Sequence, residues 1–152
     1  MNPAMVCDDT IVQEVTIKAP AERIFEALIN PAEILKWWAS EGKFQATLAE
    51  FDPRPGGKWR MRVAGGGCGN SGWSVVSGEY RAIEPPRLLV FTWNRDEEGH
   101  PETLVRWELE ENGGVTNVRV THSGLTSESV RARNNGWWMI VELLQAYAES
   151  RV

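Results

Sequence analysis

Among the 152 residues, His122 is the side chain whose type and placement best suit chemistry. It belongs to an alternating run in which Val118, Val120 and His122 share one face and Asn117, Arg119 and Thr121 the other. Period-two alternation of this kind predicts a half-buried strand, so the imidazole points toward an apolar interior. A histidine withdrawn from water can act as a base or orient a polar group of a ligand. The competing reading is structural: a ring near a strand end, hydrogen-bonded to a backbone carbonyl or to Tyr80. No nucleophile or carboxylate stands at a fixed spacing from His122, so the sequence displays no catalytic constellation.

The second chemical resource is aromatic surface. Eight tryptophans, at positions 37, 38, 59, 73, 93, 107, 137 and 138, outnumber four Phe and two Tyr. Indoles in that number line either a filled core or a concave apolar site. Trp59, Met61, Tyr80, Phe91, Trp93, Trp107 and Val120 lie on strand-like segments, and Trp37, Trp137 and Val141 on helix-like ones. With His122 they form the candidate ligand-binding set, each aromatic able to stack on a flat guest. The alternative is that the same rings only pack against one another.

Other groupings carry less. Cys7 and Cys68 make no disulfide framework, and with His100 and His122 as the only histidines no structural zinc site is expected. No cofactor is expected either. Gly65 to Gly72 is glycine-rich, but no Gly-Lys-Ser/Thr follows, so it reads as a flexible hairpin connection and not a phosphate cradle. Lys58, Arg60 and Arg62 are the solvent side of one strand, and Arg95 to Glu98 is a charged loop. Glu79 and Glu108 face outward by alternation, which argues against a paired-carboxylate mechanism.

The elements that must position these residues follow from pattern. Ile11 to Lys18 alternates as a strand, and Pro20 can open a helix carrying Ile24, Phe25, Leu28 and Ile29. Asn30, Pro31 and Glu33 read as N-cap, N1 proline and capping-box residue of a second short helix through Trp37 and Trp38. Strands follow over 44–51, 58–63, 73–83, 88–93, 103–110 and the run ending near His122. Arg54-Pro55-Gly56-Gly57 predicts a type II turn and Asn112-Gly113 a type I′ hairpin. Thr126 or Ser127 can cap a terminal helix of about twenty residues, roughly 30 Å long, whose apolar face holds Trp137, Ile140, Val141, Leu144 and Tyr147. Gly136 interrupts it, predicting a break, a bend or a close backbone approach.

One strand, two short helices, an antiparallel sheet and a covering helix define an α+β domain. The expected organisation is a flexible N-terminus over 1–10 and a single domain over 11–150. The pieces Ala19-Pro20, Arg23-Ile24-Phe25, Trp37-Trp38 and Asp52 to Gly57 stand in order with Gly78-Glu79-Tyr80 and Glu84-Pro85-Pro86-Arg87-Leu88. Phe91-Thr92-Trp93, Thr121-His122-Ser123-Gly124, Gly136-Trp137, Val141 and Leu144 complete the series. Together they resemble the heat-shock-protein-90 ATPase activator homologue (AHSA-type) family of the START-like, or SRPBCC, superfamily. The resemblance implies the helix-grip fold of the birch-pollen allergens: a curved antiparallel sheet around a long C-terminal helix, with an apolar cavity between them. It also implies a range of roles, from small-molecule carriage through cyclases to chaperone regulation.

Charge and composition narrow the partners. A net charge of −5 argues against a sequence-tolerant nucleic-acid binder. No apolar run reaches membrane-span length, and the first ten residues lack a basic start followed by an apolar stretch, which predicts a cytoplasmic protein. The leading expectation is binding of a small apolar or aromatic molecule beneath the C-terminal helix, admitted near the glycine-rich loop and Gly136. Next stands a protein-interaction module such as a heat-shock-protein-90 regulator, signalled by exposure of Trp37, Trp38 or Trp73. A cyclase- or hydrolase-like enzyme using His122 ranks third. A homodimer is compatible with the sequence.

Overall fold

The computed structural model describes residues 5–7, 10–40, 44–64, 73–95, 101–127, 130, 134 and 136–150. The glycine-rich loop with Cys68, the centre of the charged loop with His100, and much of the segment before Gly136 lie outside the described residues. Among the described residues nine strands form one antiparallel sheet: β1 (Met5–Cys7), β2 (Thr10–Ile17), β3 (Ala39–Ser40), β4 (Phe44–Phe51), β5 (Lys58–Ala64), β6 (Trp73–Glu84), β7 (Leu88–Arg95), β8 (Thr103–Asn112) and β9 (Val115–Ser123). Their spatial order is β1-β2-β9-β8-β7-β6-β5-β4-β3. The first long strand therefore closes against the last, and Ile11 lies opposite His122. Met5–Cys7, within the segment expected to be loose, pairs with Thr10–Val12.

Two helices, α1 (Ala21–Ile29) and α2 (Pro31–Trp37), separate β2 from the strands that follow. Ile24, Phe25 and Leu28 bury the inner stripe of α1. Its N-terminus is tied to the far end of β8, where the Ala21 amide donates to Glu111 Oε1 at 2.7 Å. A carboxylate there meets the positive end of the helix dipole. Asn30 caps α2 as expected, its side chain accepting from the Ala32 amide at 3.0 Å. Glu33, expected to complete that cap, has a longer-range role: Oε1 accepts from Arg23 at 2.6 Å and from the Tyr147 hydroxyl at 2.9 Å. One carboxylate thus joins α1, α2 and the terminal helix.

The sheet curls because β6 and β4 carry register shifts, at Tyr80/Ala82 and Ala46/Leu48, and bulges of this kind increase local twist. Gly78 allows β6 a close approach to β7. A Cβ there would lie 1.8 Å from the Thr92 carbonyl oxygen and 2.6 Å from Trp59 Nε1. Without one, the Trp59 indole crosses the strand and donates to that same oxygen at 3.2 Å.

Two boundaries differ from expectation. The hairpin after β8 turns on Gly113 and Gly114, both at positive φ (61° and 84°), because Asn112 already pairs with Val115. Asn112 is therefore the last strand residue, and two glycines take the left-handed positions at no steric cost. The described terminal helix, α3, covers only Trp137–Glu149, with Gly136 as its N-cap. At 13 residues it is about 20 Å long, shorter than expected. Ser127 Oγ does accept from the Val130 amide, at 3.2 Å, while most of the residues between it and Gly136 lie outside the described ones.

Helix α3 packs across β2 and against the two short helices. Ile140, Val141, Leu144 and Ala148 are buried beneath it, and Gln145 Nε2 donates to the Thr16 carbonyl at 2.9 Å. Among the described residues, no helix is long and apolar enough to cross a membrane.

Candidate functional site

The strand alternation that directs His122 inward also directs Trp107, Val105 and Val120 there, and all four are almost fully buried. His122 is 0% exposed. Its Nδ1 accepts from Trp137 Nε1 at 3.0 Å, and Nε2 lies 2.6 Å from Thr103 Oγ1. The proton assignments follow from the partners. An indole nitrogen only donates, so Nδ1 carries no proton. Thr103 gives its own hydroxyl hydrogen to the Trp93 carbonyl at 3.1 Å, so Nε2–H is the donor to Thr103. The ring is a neutral Nε2–H tautomer, and a second proton on Nδ1 would set donor against donor.

The structural reading of His122 thus has definite partners, Thr103 and Trp137, in place of the backbone carbonyl or Tyr80 expected from sequence. Both nitrogens are committed to the fold, and His122 lines none of the spaces described below. It positions Trp137.

The aromatic residues form a continuous cluster. Trp38, Trp93 and Trp137 make its centre, with ring centroids 5.5 Å (Trp93–Trp137), 6.1 Å (Trp38–Trp137) and 6.5 Å (Trp38–Trp93) apart. Trp59 and Trp107 extend it, 5.5 Å from Trp93 and 5.9 Å from Trp137 respectively. Phe91 packs edge-on to Trp59 at 5.2 Å and to Tyr80 at 6.1 Å. Tilted and edge-to-face geometries are the ones the ring quadrupoles favour.

A space of about 560 Å³ with charged walls, among them Glu50, Lys58, Arg60 and Glu79, reaches Trp59, and two others adjoin the Trp38–Trp93–Trp137 centre. The larger of these two, about 240 Å³, lies between strands β4–β7 and the start of α3. The sheet contributes Phe44, Met61, Val63, Ser74, Val76, Trp93 and Arg95, and the facing wall is Trp38, Asn134, Gly136, Trp137, Met139 and Ile140. The smaller, about 40 Å³, runs deeper among Trp59, Met61, Tyr80, Phe91, Trp93, Trp107 and Trp137. It has room for water and not for a ring-bearing guest.

Of the sequence-derived set, Met61, Trp93 and Trp137 line the larger space, and Trp59, Tyr80, Phe91 and Trp107 join them at the smaller one. Trp37, Val120, His122 and Val141 line neither. Trp37 is only 3% exposed and donates to the Ala27 carbonyl at 2.9 Å, joining α2 to α1. Val120 and Val141 are core.

Trp38 was expected in the short helix beside Trp37, or on the surface. Helix α2 ends at Trp37, and Trp38, with φ −82° and ψ 70°, leaves the helical path. Its ring packs against Trp93 and Trp137 on the pocket wall. Ser74, Val76, Asn134, Met139 and Ile140 also belong to the wall. Ile140 carried an apolar-face signal in the sequence; the contributions of Ser74 and Asn134 depend on contacts between distant segments.

Burial raises the Tyr80 phenol well above its ordinary titration range, and the nearby negative charge of Asp52 adds to the effect. The phenol is therefore a neutral hydroxyl at the inner end of the aromatic cluster.

A curled antiparallel sheet gripping a terminal helix, with two short helices after its first long strand, is the helix-grip architecture of the START-like superfamily. The chain matches the family described as "Activator of Hsp90 ATPase homolog 1-like protein" over residues 18–149 and belongs to it. No curated protein matches the chain. Several solved structures share its fold. Protein CV1439 from Chromobacterium violaceum is 23% identical with a TM-score of 0.81, covering 93% of this chain and 97% of that one. The AHSA1-like protein from Aeromonas hydrophila is 22% identical with a TM-score of 0.74, covering 93% of each chain. CalU16 from Micromonospora echinospora is 27% identical with a TM-score of 0.66, covering 91% of this chain and 73% of that one.

Proposed function

We propose that the chain, read as one domain over residues 11–150, binds a small, planar, mostly apolar molecule between β4–β7 and the start of α3. The observation that carries this reading is the indole wall of Trp38, Trp93 and Trp137 beside a space of about 240 Å³. Apolar walls with a few polar groups are what small-molecule sites are made of. A cavity of roughly 150 Å³ accommodates benzene, so the space here suits one or two fused rings. Transfer of such a guest from water to this wall supplies the driving force.

The family name also carries a chaperone-regulator role. Of the surface aromatics expected to mediate one, Trp37 and Trp38 pack inward and the Trp73 side chain lies outside what the structure describes; the indole wall makes ligand binding the better-supported reading.

Intrinsic tryptophan fluorescence, titrated with one-, two- and three-ring aromatic hydrocarbons, tests it. Saturable quenching is expected, strongest for two rings. Val63→Phe or Ile140→Phe, each placing a ring in the space, should abolish the response while leaving the far-ultraviolet circular dichroism unchanged. Absence of a saturable response to any probe overturns the reading.

A further inference from the structure

We infer that the molecule bound in this pocket is an anion, a planar aromatic acid whose carboxylate meets Arg95 and Ser74. This rests on the pocket reading above and narrows its ligand class. Among the described residues that line the space of about 240 Å³, Arg95 carries the only charge. In sequence it heads the charged run Arg95 to Glu98, but it is the last residue of β7 and lies opposite Val76 in the β6–β7 ladder. Opposed residues of an antiparallel pair share a face of the sheet, and so do residues two apart in one strand. Val76 is buried on the concave face, as is Trp93 two residues before Arg95. Register and alternation therefore both turn the Arg95 side chain toward the indole wall, where it is half-buried. Ser74 sits one step along the same face, opposite Val63 and two residues before Val76. It is 7% exposed, lines the same space, and its hydroxyl hydrogen-bonds to no other described residue. Asn134, on the facing wall, gives its side-chain amide to the Val130 carbonyl at 2.9 Å.

A guanidinium presents five N–H donors in a planar fork that matches both oxygens of a carboxylate, and engagement elsewhere in the protein does not exhaust them. Beside apolar walls its charge is screened less than in open water. A neutral hydrocarbon fills the volume, leaves the Ser74 hydroxyl unpaired and takes water from the cation. An aryl carboxylate fills it and pairs both groups, its rings among Trp38, Trp93 and Trp137 and its acid group against β6 and β7. The net charge of −5 disfavours anions over the molecule as a whole. Preference for an acid over its neutral counterpart must then come from this local cation.

2-Naphthoate and 2-naphthamide test this, being close in shape and differing in charge at pH 7. Calorimetry gives their dissociation constants for the wild type, Arg95→Met and Ser74→Ala. The wild type should bind the acid about tenfold more tightly than the amide, the size expected of a charge-assisted pair. Arg95→Met, which keeps the length of the chain and removes its charge, should bring that ratio to about one, and Ser74→Ala should lower it about threefold. The cycle cancels the different hydration of the two probes. Failure of the wild type to prefer the acid, or a ratio unchanged by Arg95→Met, overturns the carboxylate assignment; binding of naphthamide or naphthalene then leaves the pocket reading standing. A ratio unchanged by Ser74→Ala alone removes Ser74 from the assignment. Binding of none of the three probes to the wild type overturns both readings. Should Arg95→Met fail to fold or bind neither probe, arginine ¹⁵N spectra of the wild type decide: naphthoate, and not naphthamide, should move the Arg95 Nε–H resonance downfield, and equal shifts overturn the assignment.

Discussion

The indole nitrogen of Trp137 donates to Nδ1 of His122 at 3.0 Å, joining the first residue of the terminal helix to the end of the last strand. The bond fixes the plane of an indole on the pocket wall, and through Thr103 it continues to the backbone of Trp93. Two of the three central tryptophans are thereby held by one imidazole. His122 acts on the site by positioning them.

His122→Ala should destabilise the protein by about 2–4 kcal/mol, combining a buried void with an orphaned indole donor. Urea denaturation measures the loss. In the wild type, long-range ¹H–¹⁵N correlation of the imidazole should show the Nε2–H tautomer. An Nδ1–H tautomer would contradict the network.

Gly78→Ala should cost about 3 kcal/mol, at the upper end for forced overpacking. The new methyl would meet the Thr92 carbonyl, which is backbone and cannot move without parting β6 from β7. The Trp59 indole resonance should shift as its bond to that carbonyl is lost. A near-neutral unfolding midpoint would show that the two strands separate easily.

Tyr80 predicts a loss of stability at high pH. Its folded phenol holds a proton that the unfolded phenol, titrating near 10, releases. Stability from this group is complete below about pH 10 and falls above it by up to ~1.4 kcal/mol per pH unit. Tyr80→Phe should remove that slope, leaving a flatter profile of unfolding free energy between pH 10 and the alkaline limit of folding. An equally steep profile in the variant would assign the effect elsewhere.

Local pattern carried much of the architecture. Alternation in β5, β8 and β9 was legible because each strand buries one face, so Trp59, Met61, Trp107 and His122 were directed inward correctly. The partners of His122 were not legible, since Thr103 and Trp137 lie 19 and 15 residues away and meet it only after sheet and helix dock. Trp38 was misread for a local reason: one non-helical residue after α2 redirects its ring, and periodicity does not register a single change of ψ. Gly136 marked an interruption in sequence without saying whether the helix bends or ends. In the structure Gly136 is the N-cap of α3, placing Trp137 at its first turn.

The spacing of the aromatic cluster has an optical consequence. Neighbouring indoles 5–7 Å apart, as in the series from Trp38 through Trp137 to Trp107, exchange electronic excitation before they emit. Light absorbed at any ring migrates to the lowest-energy member, so the group behaves as one antenna. A guest that darkens a single ring should therefore dim the emission of the whole set.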